Sequence, residues 1–418
     1  MTNAMGGYSE PANYIAYAVP IFMVGIAVES LAARRRGVRA YRIGPLVSDL
    51  GCGMVSQVAE LFFRGVGLWV FAYLYDHARL VTFADGSVTK WIVAFVGVDL
   101  GFYLWHRASH VVAWLWAVHG VHHQSEDFNY AVALRQPAFE SLTAFPFYAP
   151  LALVGVDPVT FAICYAANLT YQFFTHTELV GRLGPLEWVF NTPSHHRVHH
   201  GINPRYLDKN YAGVFIVWDR LFGTFEPERE PAVYGVTKPL RELDPVWANV
   251  AIFRDIAKVA RATGSWLRRL YVPWAHPAYQ PDGSLAEPAP VDRATFRRFD
   301  PHPPANVRRY VLVHLVLALV QSGAIAQLHL AGASPLRLLP LGLALVLGLS
   351  ALAAYVEARP WAVALDTART VLLAGAVFTL APGATGGALA AGVLGVGAAL
   401  FVAFRPWHPS GERTAEPA

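Results

Sequence analysis

The chain has 418 residues, of which 55% are hydrophobic and only 15% are charged. Its mean hydropathy of +0.35 excludes an ordinary soluble enzyme and predicts an integral membrane protein. The formal net charge of +4 comes mostly from arginines that flank apolar stretches, which suits anionic lipid headgroups. The sequence has no basic motif with interleaved aromatic residues, so we expect no nucleic-acid partner.

Apolar stretches long enough to cross about 30 Å of hydrocarbon recur along the chain. They lie at roughly 12–33, 47–75 and 90–106, as a pair within roughly 138–175, and as four more between roughly 310 and 404. Because only helices or closed barrels satisfy their backbone groups in lipid, these long stretches indicate helices. The predicted fold class is all-α, a polytopic bundle of membrane helices.

The arginines after the first apolar stretch predict its orientation. Arg34, Arg35 and Arg36 follow it directly, whereas the residues before it carry a single acid and no lysine or arginine. By the positive-inside rule the N-terminus is outside and this arginine loop is cytoplasmic. Because no basic region precedes the stretch, we interpret it as a retained anchor and not as a cleaved signal peptide.

Histidines are concentrated in one part of the chain, with ten of the sixteen between His106 and His200. Eight of them form one H-x-x-x-H motif and two H-x-x-H-H motifs. Residues three and four apart share a helix face, so each motif would direct its imidazoles the same way. Core packing gives no reason for such runs, whereas a metal site does. The eight are His106, His110, His119, His122, His123, His196, His199 and His200.

Eight nitrogen donors are too many for one tetrahedral zinc and suit two ions that share or divide the set. Imidazole binds Zn, Cu, Fe and Ni alike, so the donors do not identify the metal. Counting the crossings places all three motifs, the stretch 176–306 and the C-terminal tail in the cytoplasm. The sequence therefore predicts a cytoplasmic-facing di-metal site. The alternative is that these residues are satisfied surface or core histidines.

Further polar residues accompany the motifs. His176, in FFTHTE, is either a partner of a helix dipole or a ninth ligand, and we include it among the metal candidates. His195 is rotated about 100° from His196 on a helix, so we expect it to contact substrate or support a ligand. Candidates to hold the free imidazole nitrogens, which the sequence does not rank, are Asp99, Glu126, Asp127, Glu178, Asp208 and Asn210.

Composition also predicts the domain organisation. We expect Asp366 and Arg369 to form a local salt bridge, with a functional ion path as the alternative. Cys52 and Cys164 lie in apolar segments and are predicted to be packed thiols. The predicted parts are membrane anchor spans at 1–90, a catalytic domain at 91–228, a proline-rich, loop-rich cytoplasmic connector without separate chemistry at 229–306, C-terminal membrane helices at 307–405 and a disordered tail at 406–418.

The histidine motifs resemble those of the fatty acid hydroxylase and sterol desaturase superfamily of membrane di-iron enzymes, and all eight positions match. Within 91–228, the strings HHQSEDFNYAVALRQ and FFTHTELVGRLGPLEWVFNTPSHHRVHHGINPRYLDKNYAGVFIVWDRLFGTFEPE resemble the branch that cleaves alkylglycerol ether lipids. The resemblance implies a fatty acid hydroxylase-type domain with two iron ions held by the histidines. It also implies hydroxylation of a lipid C–H bond by O₂, with an alkylglycerol cleaved to an aldehyde and a glycerol derivative.

The resemblance implies an external electron donor, either tetrahydrobiopterin or a cytochrome or ferredoxin chain. Three other interpretations stay open. The first is a fatty acyl, sterol or carotenoid hydroxylase or desaturase of the same superfamily. The second is a membrane metal transporter, which predicts polar residues along a path through the spans, where only Asp99 and Glu60 lie at a suitable depth. The third is a non-catalytic relative.

Overall fold

The computed structural model describes residues 14–381 and 383–406, and this part of the chain is helical, with isolated β-bridges and no longer strand. It confirms the predicted all-α fold. The first predicted apolar stretch begins before the described residues, and the predicted tail beyond Pro406 lies outside them. The α-helices are α1 Tyr14–Arg35, α2 Ile43–Ala78, α3 Val88–Val111, α4 Ala113–His123, α5 Tyr130–Ala133, α6 Glu140–Leu153, α7 Pro158–Phe173, α8 Pro193–His199, α9 Val217–Phe222, α10 Pro245–Ala262, α11 Trp266–Tyr271, α12 Ala305–Leu330, α13 Pro335–Val356, α14 Ala362–Leu380 and α15 Ala384–Phe404.

Within the described ranges, six helical segments are long and apolar enough to cross a membrane, which agrees with an integral membrane protein. The pair predicted within 138–175 differs from expectation, because α6 has 14 residues and α7 has 16, fewer than the roughly 20 that a span needs. Both helices are mostly apolar, so composition did not separate them from spans. The six segments are Ile43–Phe63, Val88–Val111, Ala305–Leu330, Pro335–Val356, Ala362–Leu380 and Ala384–Phe404.

The chain divides into two compact units. The first takes in the described part of 1–41 together with 62–240 and 250–298; the second takes in 42–61, 241–249 and the described part of 299–418. All three histidine motifs belong to the first unit. The segment predicted as a loop-rich connector also contains the 18-residue helix α10. The absence of proline between residues 246 and 272 permits this helix.

The core of the first unit forms where α3 packs against α6 and α7. Glycine on α3 allows the close approach to α6: a Cβ added at Gly97 would lie 2.4 Å from Cδ2 of Leu151. Further along α3, Trp105 is buried and donates its indole N–H to Thr143 of α6 at 3.2 Å. This packing fixes the C-terminal turns of α3, which carry His106 and His110.

The second unit contains α12 to α15, and a buried polar cluster joins three of these helices. Arg369 pairs with Asp366 at 2.7 Å, which confirms the predicted salt bridge. The hydroxyls of Tyr310 and Tyr355 also donate to Asp366, and Nδ1 of His314 accepts a hydrogen bond from Arg369 at 2.7 Å. The charges are thus balanced within the cluster, as expected for a local structural pair.

Candidate metal centre

Nine histidine side chains of the first unit form two groups, and each of the nine is at most 8% exposed. Within a group, one nitrogen from every ring lies within 4.8 Å of those from the others. The first group contains His106, His110, His119, His123 and His199, and the second group contains His122, His176, His196 and His200.

The motifs do not each serve one group. His106 and His110 of α3 go to the first group together, but both H-x-x-H-H motifs divide. Their i and i+4 members stay together, whereas the middle histidine joins the other group. The expectation that each triplet shares one face is therefore corrected. Adjacent helical positions such as His122 and His123 are rotated by about 100°, which directs their rings to different groups.

Ring tautomers in the second group test whether the nitrogens suit a cation. Nδ1 of His122 lies 3.2 Å from the carbonyl oxygen of Arg135, and Nδ1 of His176 lies 2.9 Å from that of Gln172. A carbonyl only accepts, so each Nδ1 carries the proton and each Nε2 of a neutral ring presents a lone pair. These two Nε2 atoms are nevertheless 3.2 Å apart. A cation bound by both would replace this repulsion with attraction.

The first group repeats the arrangement. Nδ1 of His106 lies 2.8 Å from the carbonyl oxygen of Tyr211, and Nδ1 of His199 lies 3.0 Å from that of Lys209. Nε2 of His199 is 3.1 Å from Nε2 of His123, and the buried Nε2 of His106 has no hydrogen-bond partner. Nitrogens bound at about 2.0–2.1 Å to one ion lie about 3–4 Å apart, so the spacing fits a shared metal ion.

Burial keeps these imidazoles neutral, which is the form that binds metal. Desolvation lowers the pKa of His122 to about 4 and the pKa of His199 to about 3. In five further rings that lie outside α3, burial and the neighbouring imidazoles together lower the pKa well below 6.5. These are the rings of His119, His123, His176, His196 and His200.

A loop between α8 and α9 provides the carbonyl groups of Lys209 and Tyr211. The buried carboxylate of Asp219 holds this loop by accepting the backbone N–H of Tyr211 at 2.8 Å and that of Ala212 at 2.9 Å. It also accepts the hydroxyl of Thr224 at 2.6 Å. Burial raises the pKa of Asp219 to about 6, although these three donors oppose the shift. Asp219 therefore positions the loop that orients His106 and His199.

Asp99, a predicted partner for an imidazole, holds the next part of the same loop instead. One of its oxygens accepts the backbone N–H of Val214 at 2.7 Å and the amide of Asn168 at 2.8 Å. The other accepts the backbone N–H of Phe215 at 3.0 Å and the indole N–H of Trp218 at 2.9 Å. With both oxygens used in this way, Asp99 serves the loop and not an ion path through the membrane.

Asp208 lies beside the first group, with one carboxylate oxygen 3.9 Å from Nδ1 of His110. Two other predicted supporting residues contact different side chains. Glu178 accepts the hydroxyl of Tyr234 at 3.0 Å and pairs with Arg293 at 2.6 Å. Asp127 pairs with Arg298 at 3.2 Å. We had predicted that side-chain carboxylates or amides hold the free imidazole nitrogens. In His106, His122, His176 and His199, backbone carbonyls accept the Nδ1–H instead.

His195 lies outside both groups. Its nearest acid is Glu187, whose Oε2 is 3.9 Å from the ring Nε2, and its buried Nδ1 has no hydrogen-bond partner. The amide of Asn210 donates to the backbone carbonyl of His195 at 3.1 Å, so Asn210 supports the α8 backbone. The ring of His195 lines a cavity of about 250 Å³ together with Trp188 and Phe225.

Sequence reasoning missed Glu29, a buried carboxylate of α1. It accepts the hydroxyl of Thr177 at 2.5 Å, the backbone N–H of Tyr130 at 2.9 Å and the hydroxyl of Tyr41. Thr177 directly follows His176, so Glu29 supports the second group through one residue. The available signal was an acid within the apolar run VGIAVESL, where a carboxylate needs partners.

Comparison with known proteins identifies the family. The fatty acid hydroxylase family model matches residues 91–224, which contain all nine histidines. A relative from Xenopus tropicalis, alkylglycerol monooxygenase, is 35% identical over 363 residues, covering 86% of this chain and 81% of its own. The chain belongs to the fatty acid hydroxylase family. This confirms the resemblance seen in the histidine motifs.

Two further relatives of this chain have the same name as the Xenopus tropicalis relative, alkylglycerol monooxygenase. The one from Danio rerio is 36% identical over 380 residues, covering 87% of this chain and 82% of its own. The one from Homo sapiens is 39% identical over 273 residues, covering 65% of this chain and 61% of its own. No solved structure matches the chain.

Proposed function

We propose that this chain is a membrane di-iron monooxygenase that uses O₂ to hydroxylate an alkylglycerol ether lipid. The carrying observation is the pair of buried, neutral histidine groups, within a chain similar to alkylglycerol monooxygenases over most of its length. The five histidines of the first group and the four of the second group are the proposed iron ligands. Each set falls short of the six ligands of an octahedral ion, which leaves positions for small ligands.

Two ferrous ions held in these groups would supply O₂ activation and the removal of hydrogen from an unactivated carbon. The chain's own residues hold the ring nitrogens in place and keep water away. Trp105 packs edge-on to His119 with ring centroids 5.2 Å apart, and Phe128 stacks on His176 at 5.6 Å. Apolar walls of this kind favour oxidation of the substrate over loss of the oxidant to solvent.

The proposed reaction inserts one oxygen atom of O₂ into the C–H bond beside the ether oxygen. The other oxygen atom leaves as water, with two electrons from an external donor and two protons. The resulting hemiacetal loses its bond between carbon and the ether oxygen, giving a fatty aldehyde and a glycerol derivative. The proposed donor is tetrahydrobiopterin or a cytochrome or ferredoxin chain.

We also propose that the site faces the cytoplasm. The support is the run Arg34, Arg35 and Arg36 at the C-terminal end of α1, against the single acid and absence of lysine or arginine in the residues before α1. The histidines of α3 lie in its last turns, at the end of a segment long enough to span the membrane. A substrate could then reach the site sideways from the bilayer.

The test is anaerobic purification with iron supplied, a count of metal per chain, and incubation with an alkylglycerol, O₂ and a pterin or ferredoxin reductant. We expect two irons per chain and release of a fatty aldehyde, and no aldehyde from the matched His176→Ala variant. Two irons with oxidation only of a fatty acyl, sterol or carotenoid substrate would overturn the ether substrate and keep the oxygenase class. Failure to bind iron under any condition would overturn the proposal and favour a zinc protein or a transporter.

A further inference from the structure

A short run of the first unit exposes several large apolar side chains. Residues 265–275, here called the tryptophan segment, contain α11 and a 3₁₀ turn at Val272–Trp274. Trp266 is 67% exposed, Leu270 is 65% exposed and Trp274 is 63% exposed. Single exposed apolar residues are ordinary, but a contiguous exposed apolar run of this kind marks a surface that binds a membrane or another protein.

The tryptophan segment is attached at the end of a membrane-length helix. The backbone N–H of Ala113 donates to the carbonyl oxygen of Ala275 at 2.8 Å. The ring of Trp274 packs edge-on to that of Trp114, with centroids 5.8 Å apart. Ala113 comes two residues after Val111, where α3 ends. The tryptophan segment therefore lies at the depth at which α3 leaves the hydrocarbon, which is the interface where tryptophan is enriched.

The positive charge of the tryptophan segment and of the four residues before it suits an anionic lipid surface. Residues 261–275 contain Arg261, Arg268 and Arg269 and no aspartate or glutamate. Arginines beside exposed tryptophan and leucine are typical of elements that lie in the plane of the membrane, with the charged groups on anionic headgroups. A second copy of the same face would instead bring like charges together.

We propose that the tryptophan segment is a membrane-surface element whose apolar side chains enter the bilayer interface while Arg268 contacts anionic headgroups. The element lies next to the first histidine group. His276, which follows it directly, has Nε2 3.3 Å from one carboxylate oxygen of Asp208, and the other oxygen lies 3.9 Å from Nδ1 of His110. The membrane surface is thereby held against the end of α3 that carries the site.

The test uses a fluorescent label on the full chain in lipid nanodiscs. Both native cysteines, Cys52 and Cys164, are buried, so Leu267→Cys and Leu270→Cys provide selective labelling sites. Ala294→Cys is the matched control, since Ala294 is exposed in a separate turn of the same unit. We expect nitroxide lipids to quench the labels at 267 and 270 at least about twofold more than the control label, with blue-shifted emission.

Arginine variants test the headgroup contact. Quenching at 270 should increase when anionic lipid is added to neutral nanodiscs; Arg268→Glu should abolish that increase and Arg268→Lys should keep it. Labels at 267 and 270 quenched no more than the label at 294 would overturn the proposal. Blue-shifted emission that appears only in nanodiscs holding two copies of the chain would overturn the proposal in favour of a protein contact. Quenching needs no iron and no turnover, so its failure is separable from failure of the proposed oxygenase activity.

Discussion

The Nε2 atoms of His122 and His176 lie 3.2 Å apart, although each ring directs its Nδ1–H to a backbone carbonyl. Neither Nε2 has a proton to share, so the contact opposes two lone pairs inside a buried site. The two residues are 54 positions apart, on α4 and just after α7, and the fold brings them together. A cation between such nitrogens accounts for a contact that the isolated side chains would avoid.

Replacing His176 should therefore empty the second group and leave the first group loaded. We expect His176→Ala to lower bound iron from about two ions per chain to about one and to abolish lipid oxidation, because both ions take part. Metal analysis of the purified membrane protein gives the count, and aldehyde release gives the activity.

His199→Ala is the complementary variant, since it removes a ligand from the first group and should also leave about one iron. His195→Ala is the control, because its ring belongs to neither group and should cost less metal than the other two changes. Wild-type iron content with wild-type activity in His176→Ala or His199→Ala would contradict the assignment of the nine ligands.

Most of the candidate metal site could be predicted from spacing, because the histidine motifs are local. His106 and His110 are one helical turn apart, so the sequence itself indicates a shared direction. Helix geometry gives His122 and His123 different directions, but coordinates were needed to show which other histidines each ring joins. Periodicity indicates which residues share a face of one helix and contains no information on which neighbouring helix each face meets.

The support around the rings could not be predicted, since much of it comes from the backbone. The carbonyl of Tyr211 orients His106, and any residue type at position 211 would supply the same oxygen. The spans show a related limit. The 14 residues of α6 are mostly apolar although only five of them are buried, so composition does not distinguish this short helix from a membrane span.

Asp219→Asn should weaken the first group without touching a ligand. The amide nitrogen would face either the backbone N–H of Tyr211 and the hydroxyl of Thr224 or the backbone N–H of Ala212, so at least one hydrogen bond would be replaced by a clash of donors. The loop that orients His106 and His199 would then shift. We expect a roughly 10–100-fold loss of iron affinity in the first group, measured by competition with a chelator.

The matched control for that change is Asp282→Asn, which makes the same substitution in an exposed turn and should leave iron binding unchanged. Retention of about one iron per chain in Asp219→Asn would show a local effect on the first group. Equal loss from both groups would instead indicate general unfolding, and unchanged affinity would contradict the positioning role of Asp219.

Glu29→Gln should act on the second group through Thr177. The glutamine keeps one acceptor oxygen but turns an NH₂ group toward the hydroxyl of Thr177 or toward Tyr41 and the N–H of Tyr130. We expect iron in the second group to be released more easily, with a smaller effect than that of His176→Ala. The melting temperature should also fall, since a buried hydrogen-bond network is broken.

Thr177→Val separates the effect of Glu29 on iron retention from its effect on stability. It removes only the hydroxyl that donates to Glu29 and keeps the backbone of the turn. It should reproduce part of the iron release seen in Glu29→Gln and little of the loss of melting temperature. Chelator-resistant iron and thermal unfolding, measured on the same preparations, would distinguish the two effects. Normal iron retention in both variants would exclude a role for Glu29 in holding the second group.

Acid should release the metal and destabilise the fold together. Burial lowers the folded-state pKa of His122 to about 4 and of His199 to about 3, whereas an exposed imidazole has a pKa of 6.5. Between these values the unfolded chain binds more protons than the folded chain, so falling pH favours unfolding. The stability from keeping these rings neutral is complete above about pH 6.5 and is lost as the pH falls toward about 4.

Bound metal extends the same argument, because protons compete with the ion for each ring nitrogen. Iron content and melting temperature, measured from pH 8 to about pH 4, should therefore decline over the same range, with most of the loss below about pH 6.5. His302→Ala, at an exposed histidine, is the control and should keep the wild-type profile. A melting temperature and iron content that stay constant down to about pH 4 would show that the buried imidazoles are not linked to folding or to metal.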